Sequence, residues 1–262
     1  MSGPLAGPAR RRAEELGLAI GLLTRYPLPR FPTRSAATIG SAFWAYPLAG
    51  ALIGIPAAIV LWLSVSAGFS ATAAALLAMT AALIAGGGFH EDGLSDFWDG
   101  LGGGYEREEK LEIMRDSRIG TFGALALMLA LGLQASFLVS LQHYAGLAAV
   151  MAAMIAAETV ARGAIALPVA YLDPARSDGL GASMGTLRQG ALLGGIALAI
   201  VIPVLLLGTL AVALIVGALL GAGSVVLLAW YFLGGFTGDV LGASAVTARL
   251  AALAALTLAM TP

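Results

Sequence analysis

The 262 residues contain no cysteine, and that absence removes disulfides, thiolate metal sites and cysteine nucleophiles. Charge is scarce: Asp, Glu, Lys and Arg make up 11% of the chain, against about 25% in soluble domains. The net charge of −1 makes no case for nucleic acid as a partner. No cleavable signal is legible either. Met1 to Arg12 is Gly/Pro-rich and ends in Arg10-Arg11-Arg12, and the apolar run that follows is interrupted by Arg25 before any small-residue cleavage site. What fills the chain is apolar: 59% of residues are hydrophobic and the mean hydropathy is +0.91, the composition of an integral membrane protein directed into the bilayer by its own spans.

The pattern predicts an all-α, polytopic helical bundle forming one domain over residues 1–262, with about seven spans. They run near Phe43 to Val65, Ala71 to Phe89, Thr121 to Leu141, Leu147 to Val169, Ala191 to Leu207, Leu210 to Leu233 and Leu241 to Met260. The second is expected to continue without a break into the polar segment after it. Glu14 to Thr24 precedes them as a helix too short to span, ended by Arg25 and the prolines Pro27, Pro29 and Pro32, and so interfacial or half-buried. The connections near Gly68, Gln142 to Gly146 and Gly208 carry no Lys or Arg, and all fourteen bases fall toward the other side. By the positive-inside rule that side is the cytoplasm, which places the chain in the bacterial inner membrane with its polar segments facing inward.

The segment from Gly86 to Gly123 holds nine of the fifteen acidic residues. Within it Asp92, Asp96 and Asp99 stand at i, i+4 and i+7, which puts three carboxylates within about 60° of arc on a helix. A solvated acidic face is the plain reading. The interleaved Phe89, Phe97 and Trp98, and glycine runs at both ends that permit close backbone approach, favour a cation held between the carboxylates. Oxygen-only ligands suit Mg²⁺, Mn²⁺ or Ca²⁺ rather than zinc, and phosphate chemistry points to Mg²⁺. His90, off that face, is either a satisfied interfacial group or a general base beside the acids.

Arg115 and Arg118, with Lys110 behind them, are positive-inside anchors or, for the two arginines, guanidinium forks that converge on phosphate. Arg25, Arg34, Asp173, Arg176, Asp178 and Arg188 lie on the same face within reach of an anionic substrate, and Arg25 joins Arg115 and Arg118 as a phosphate candidate. Gly87-Gly88-Phe89-His90-Glu91-Asp92 is echoed by Gly234-Gly235-Phe236-Thr237-Gly238-Asp239, which suggests Asp239 as a further metal ligand facing Asp92. Glu158 and Arg162, at i, i+4 inside a span, read as an ion pair, and the GALLGAG run as a close helix contact.

Taken together, His90-Glu91-Asp92-Gly93-Leu94-Ser95-Asp96-Phe97-Trp98-Asp99-Gly100 meets every fixed position of the H-x-D-G-x-x-D-x-x-D-G pattern of the cobalamin synthase (adenosylcobinamide-GDP ribazoletransferase) family, which the chain resembles. The segments Leu22 to Arg30, Tyr46 to Gly54, Leu111 to Leu127 and Gly234 to Ala243 are also similar to it, so the resemblance spans nearly the whole chain. It implies a Mg²⁺-requiring transferase that joins adenosylcobinamide-GDP to α-ribazole or α-ribazole 5′-phosphate with release of GMP, in membrane lipid, as a monomer or an oligomer. On that reading Asp92, Asp96, Asp99 and Asp239 hold Mg²⁺, Arg115, Arg118 and Arg25 hold phosphate oxygens, and His90 or a spare carboxylate takes the hydroxyl proton.

Two rivals stand beside it. A phospholipid-type phosphotransferase acting on a nucleotide-activated alcohol also uses aspartates on membrane helices, but carries Ala-Arg where this chain has Asp96-Phe97. A secondary transporter places its ionisable residues near the bilayer midplane, where only Glu158 and Arg162 are candidates here.

Overall fold

The computed structural model describes residues 7–27, 38–184 and 187–261. Arg30, Arg34 and the prolines Pro29 and Pro32 lie outside them. The protein is built of helices; among the described residues the extended pairing consists of one isolated parallel bridge, between Pro174 and Phe236.

Helix α1, Pro8–Leu23, starts earlier than the apolar pattern implies, because Pro8 at its first turn has a φ already suited to the helix. Its buried Glu15 accepts hydrogen bonds from Arg11, Arg12 and the Trp44 Nε1, which docks the helix on the 3₁₀ turn Gly40–Ala45. Helix α2, Tyr46–Ser66, tolerates Pro47 in its first turn and carries Pro56 inside. Helix α3, Ala71–Gly86, is capped by Ser70, whose hydroxyl accepts from the Ala73 N–H.

The expectation of an unbroken run from α3 into the acidic segment does not hold. Gly87 and Gly88 both take left-handed backbone angles (φ 69° and 67°), and α3 meets α4, Phe89–Gly103, at 92°. Two successive residues at positive φ are accessible at low cost to glycine alone, so this dipeptide turns the chain. Helix α5, Arg107–Ile113, follows. Lys110, grouped in sequence with the surface anchors, is buried: its Nζ donates to the Gly104 and Tyr105 carbonyls at 2.5 and 2.7 Å and so closes the glycine turn before it.

Helix α6, Thr121–Ala164, is followed by the short α7, Ala166–Tyr171, and α8, Gly179–Ser183. Helices α9, Gln189–Leu207, α10, Ala211–Leu233, and α11, Gly238–Met260, complete the bundle. By length and composition four stretches can cross a bilayer, residues 40–66, 121–171, 189–233 and 238–260, with the bent α3–α4 pair as a fifth. The chain is therefore an integral membrane protein, although length and composition do not by themselves return seven spans. Two of the four are 51 and 45 residues long and each contains a backbone break, at Gly146 (φ 80°, ψ 174°) and at Gly208 (φ 58°, ψ −132°).

Small residues set the spacing between helices, as the GALLGAG run predicts. A methyl group at Gly217 or Gly221 of α10 would overlap the Ala251 or Thr247 carbonyl of α11, and one at Gly50 or Gly54 of α2 would overlap the α6 backbone at Glu158 and Ile155. Backbones this close gain dispersion energy that lipid tails cannot supply. In the centre, Glu158 accepts from Arg162, as its i, i+4 spacing predicts, and also from Arg249 Nη1 at 3.0 Å; Arg249 Nη2 reaches Glu91 Oε1 at 2.7 Å. Two carboxylates and two guanidinium groups balance to zero, which is how charges survive in an apolar core.

Candidate active site

Helix α4 is pinned against α11. Glu91 is tied to Arg249, and two residues later Gly93 lies flat against the α11 backbone at Asp239 and Gly242. Asp239 occupies the first turn of α11, whose start is fixed by Thr237: the side-chain hydroxyl accepts from the Val240 N–H and donates to Asp239 Oδ2 at 3.2 Å. Asp92 and Asp239 consequently line one hollow of about 150 Å³, with Phe89, Arg176, Asp178 and Thr237 among its other walls. The pairing of Asp92 with Asp239 suggested by the repeated glycine-rich hexapeptides is present in space.

Asp96, one turn along α4, is half-buried. It lies within the negative fields of Asp92, Asp239 and Asp99. Crowded carboxylates of this kind hold a proton or a cation. Among the described residues no three His, Asp or Glu side chains converge on one point as they stand. The donor set nonetheless fits Mg²⁺, which binds through one or two carboxylates and completes its octahedron with water and substrate phosphate oxygens.

The remaining site candidates are distributed differently. Asp99 shares the carboxylate face in sequence but is buried, and its two oxygens accept from the Gly120 and Gly123 N–H groups at 2.7 and 2.8 Å. It thereby receives the N-terminus of α6, where a carboxylate satisfies helix N–H groups that have no internal partner. His90 is 2% exposed and lines a small apolar hollow with Leu23, Tyr46, Ile165 and Leu241. Arg115 donates to both Asp178 oxygens at 2.7 and 3.0 Å, at the rim of the acidic hollow. Arg118 is folded back on Asp116 and faces a separate hollow beside Asp99 and Gly120. Arg25 lies across Gly87 at the α3–α4 turn, where its own N–H donates to the Ala85 carbonyl at 2.7 Å.

Arg249 and Glu91, which fix the tilt of α4, carry no sequence signal of their own, because partners 158 residues apart have no shared periodicity. Arg176, a member of the hollow's wall, appears in the sequence only as one of several bases on its face.

The sequence profile of cobalamin-5-phosphate synthase matches residues 15–257. Curated relatives called adenosylcobinamide-GDP ribazoletransferase include one from Mesorhizobium japonicum, 39% identical with 93% of each chain covered, and one from Bradyrhizobium diazoefficiens, 39% identical with 91% of each covered. Another, from Ralstonia nicotianae, is 40% identical over 89% of this chain and 90% of the relative. No solved structure matches. A profile that covers nearly the whole chain, joined to relatives of similar length, establishes that the chain belongs to the cobalamin-5-phosphate synthase family.

Proposed function

We propose that this chain joins adenosylcobinamide-GDP to α-ribazole, or to its 5′-phosphate, and releases GMP. The observation that carries the reading is the meeting of Asp92 and Asp239 in one polar hollow at the end of the bundle, on a scaffold whose relatives bear that activity in their names. In the reaction the 3′-hydroxyl of the ribazole attacks the phosphorus nearest the cobinamide. The bond from that phosphorus to the bridging oxygen breaks, and GMP leaves with the oxygen and its electron pair. The hydroxyl proton passes to a carboxylate oxygen of the cluster that is not otherwise engaged. His90, buried among apolar side chains, serves to pack α4.

Asp92, Asp96 and Asp239 hold Mg²⁺ in this reading, with Asp99 behind them holding the α6 terminus. Bound there, the ion neutralises pyrophosphate charge, the principal requirement of phosphoryl transfer. Arg115 stands at the rim, where an incoming phosphate competes with Asp178 for its guanidinium. Arg118 and Arg25 serve the loop before α6 and the α3–α4 turn, respectively.

The same reading places seven spans in the cytoplasmic membrane. A 44-residue α6 would extend about 66 Å, roughly twice the hydrocarbon thickness, so its break at Gly146 reverses the chain, and Gly208 does the same between α9 and α10. The loops at those breaks carry no Lys or Arg, and the acidic hollow lies at the opposite, base-rich end. The purified protein, given adenosylcobinamide-GDP, α-ribazole and Mg²⁺, should release GMP; if no Mg²⁺-dependent GMP forms, the reading fails.

A further inference from the structure

Arg176 is held in place more firmly than a loop arginine needs to be. The residues before it pair with the strand-like entry to α11: the Ala175 N–H donates to the Phe236 carbonyl at 2.8 Å and the Phe236 N–H donates to the Asp173 carbonyl at 2.9 Å. Gly235 permits that approach, since a Cβ there would lie 2.9 Å from the Ala175 nitrogen. Arg107 of α5 clamps the same junction, with Nε on the Leu233 carbonyl at 2.7 Å and Nη2 on the Ala175 carbonyl at 3.0 Å. The Arg176 guanidinium is itself anchored by Nη2 on the Leu111 carbonyl at 2.7 Å.

Fixed in this way, Arg176 borders the hollow that Asp92 and Asp239 line, within the fields of Asp239, Asp178 and Asp96. Among the described residues it forms no ion pair with any of them, and its Nε is buried without a hydrogen-bond partner. A buried donor left unmatched costs about 1–3 kcal/mol, and an arginine beside carboxylates would ordinarily close on them. Arg115 and Arg118 have done so, with Asp178 and Asp116. Arg176 instead lines, together with Asp92 and Asp239, a hollow of about 150 Å³, room for a phosphoryl group and the ion it binds.

We infer that Arg176 is the residue that binds a phosphate of the nucleotide-activated substrate, in the hollow it lines with the carboxylates, and that its backbone clamps exist to hold it there in advance. This rests on the transferase reading above. A clamped guanidinium gives up little rotamer freedom on binding and presents a planar fork to phosphate oxygens.

The test compares wild type with Arg176→Gln, which keeps a donor for the Leu111 carbonyl but loses the charge, and Arg176→Lys, which keeps the charge but loses the fork. In detergent with Mg²⁺, Arg176→Gln should weaken GDP binding, followed by calorimetry, and raise KM for adenosylcobinamide-GDP by about tenfold or more, while KM for α-ribazole stays within about twofold. Arg176→Lys should lie between the two. Should Arg176→Gln not fold, Arg176→Lys decides the matter, with a rise in the GDP-substrate KM of about threefold or more expected. A variant that binds GDP like wild type and loses only thermal stability would show that Arg176 is a structural cross-link. Wild type that releases GMP beside an unaffected variant overturns this assignment alone, whereas wild type that releases none overturns the transferase reading.

Discussion

Gly93 of α4 and Gly242 of α11 meet backbone to backbone: a Cβ added at Gly93 would lie 3.2 Å from the Gly242 Cα and 3.1 Å from the Asp239 Cα. Neither partner atom belongs to a side chain that can swing away, so an alanine at either glycine must shift the two backbones apart by a few tenths of an ångström. Because Asp92 and Asp239 belong to those helices, Gly93→Ala or Gly242→Ala should lower GMP release by about tenfold or more with insertion into the membrane retained, since small misplacements weigh heavily on positioned chemistry. Activity within twofold of wild type would show that the hollow tolerates the separation.

Asp99 and Asp92 occupy one helical face but different surroundings, and their asparagine variants should separate. Asp99→Asn keeps one acceptor for the Gly120 and Gly123 N–H groups and turns a donor toward the other, so it should cost about 1–3 kcal/mol in stability. Its Mg²⁺ half-saturation should stay within about threefold of wild type, whereas Asp92→Asn and Asp239→Asn should each raise that concentration by about tenfold or more. Thermal unfolding and Mg²⁺ titration of turnover provide the two readouts.

If Asp92, Asp96 and Asp239 hold Mg²⁺ as proposed, the ion would stabilise the folded chain by linkage, by about 2.7 kcal/mol at a hundred times its dissociation constant. Adding Mg²⁺ to chelator-treated protein should therefore raise the thermal midpoint of wild type and leave Asp239→Asn nearly unmoved. Equal shifts in both proteins would place the ion elsewhere.

The buried quartet predicts a specific non-additivity. Glu91→Gln alone leaves one excess positive charge and Arg249→Met alone one excess negative charge, each expected to cost about 3–5 kcal/mol. The double variant leaves Glu158 and Arg162 as a balanced pair and should be more stable than either single one. If the double variant shows the sum of the two losses, the network is not coupled.

Periodicity made much of this molecule readable in advance. The shared face of Asp92, Asp96 and Asp99 follows from 100° per residue, the ion pair of Glu158 with Arg162 from one helical turn, and a close helix contact, though not its partner, from the small residues around Gly217 and Gly221. What escaped has no local signal. Glycine runs announce freedom but not direction, so the 92° turn at Gly87 and Gly88 read as a continuing helix. Asp99 looked like its neighbours because a sequence does not show that two N–H groups from the next span are waiting for it. Arg249 and Arg176 acquire their significance only from partners brought together by the fold.

The union of Asp92 with Asp239 also makes the site a property of helix packing rather than of either segment alone. One carboxylate stands about a third of the way along the sequence and the other in the first turn of α11, so the hollow exists only while α11 lies against α4. Whatever loosens the contact between α4 and α11 therefore dissolves the site without touching either carboxylate.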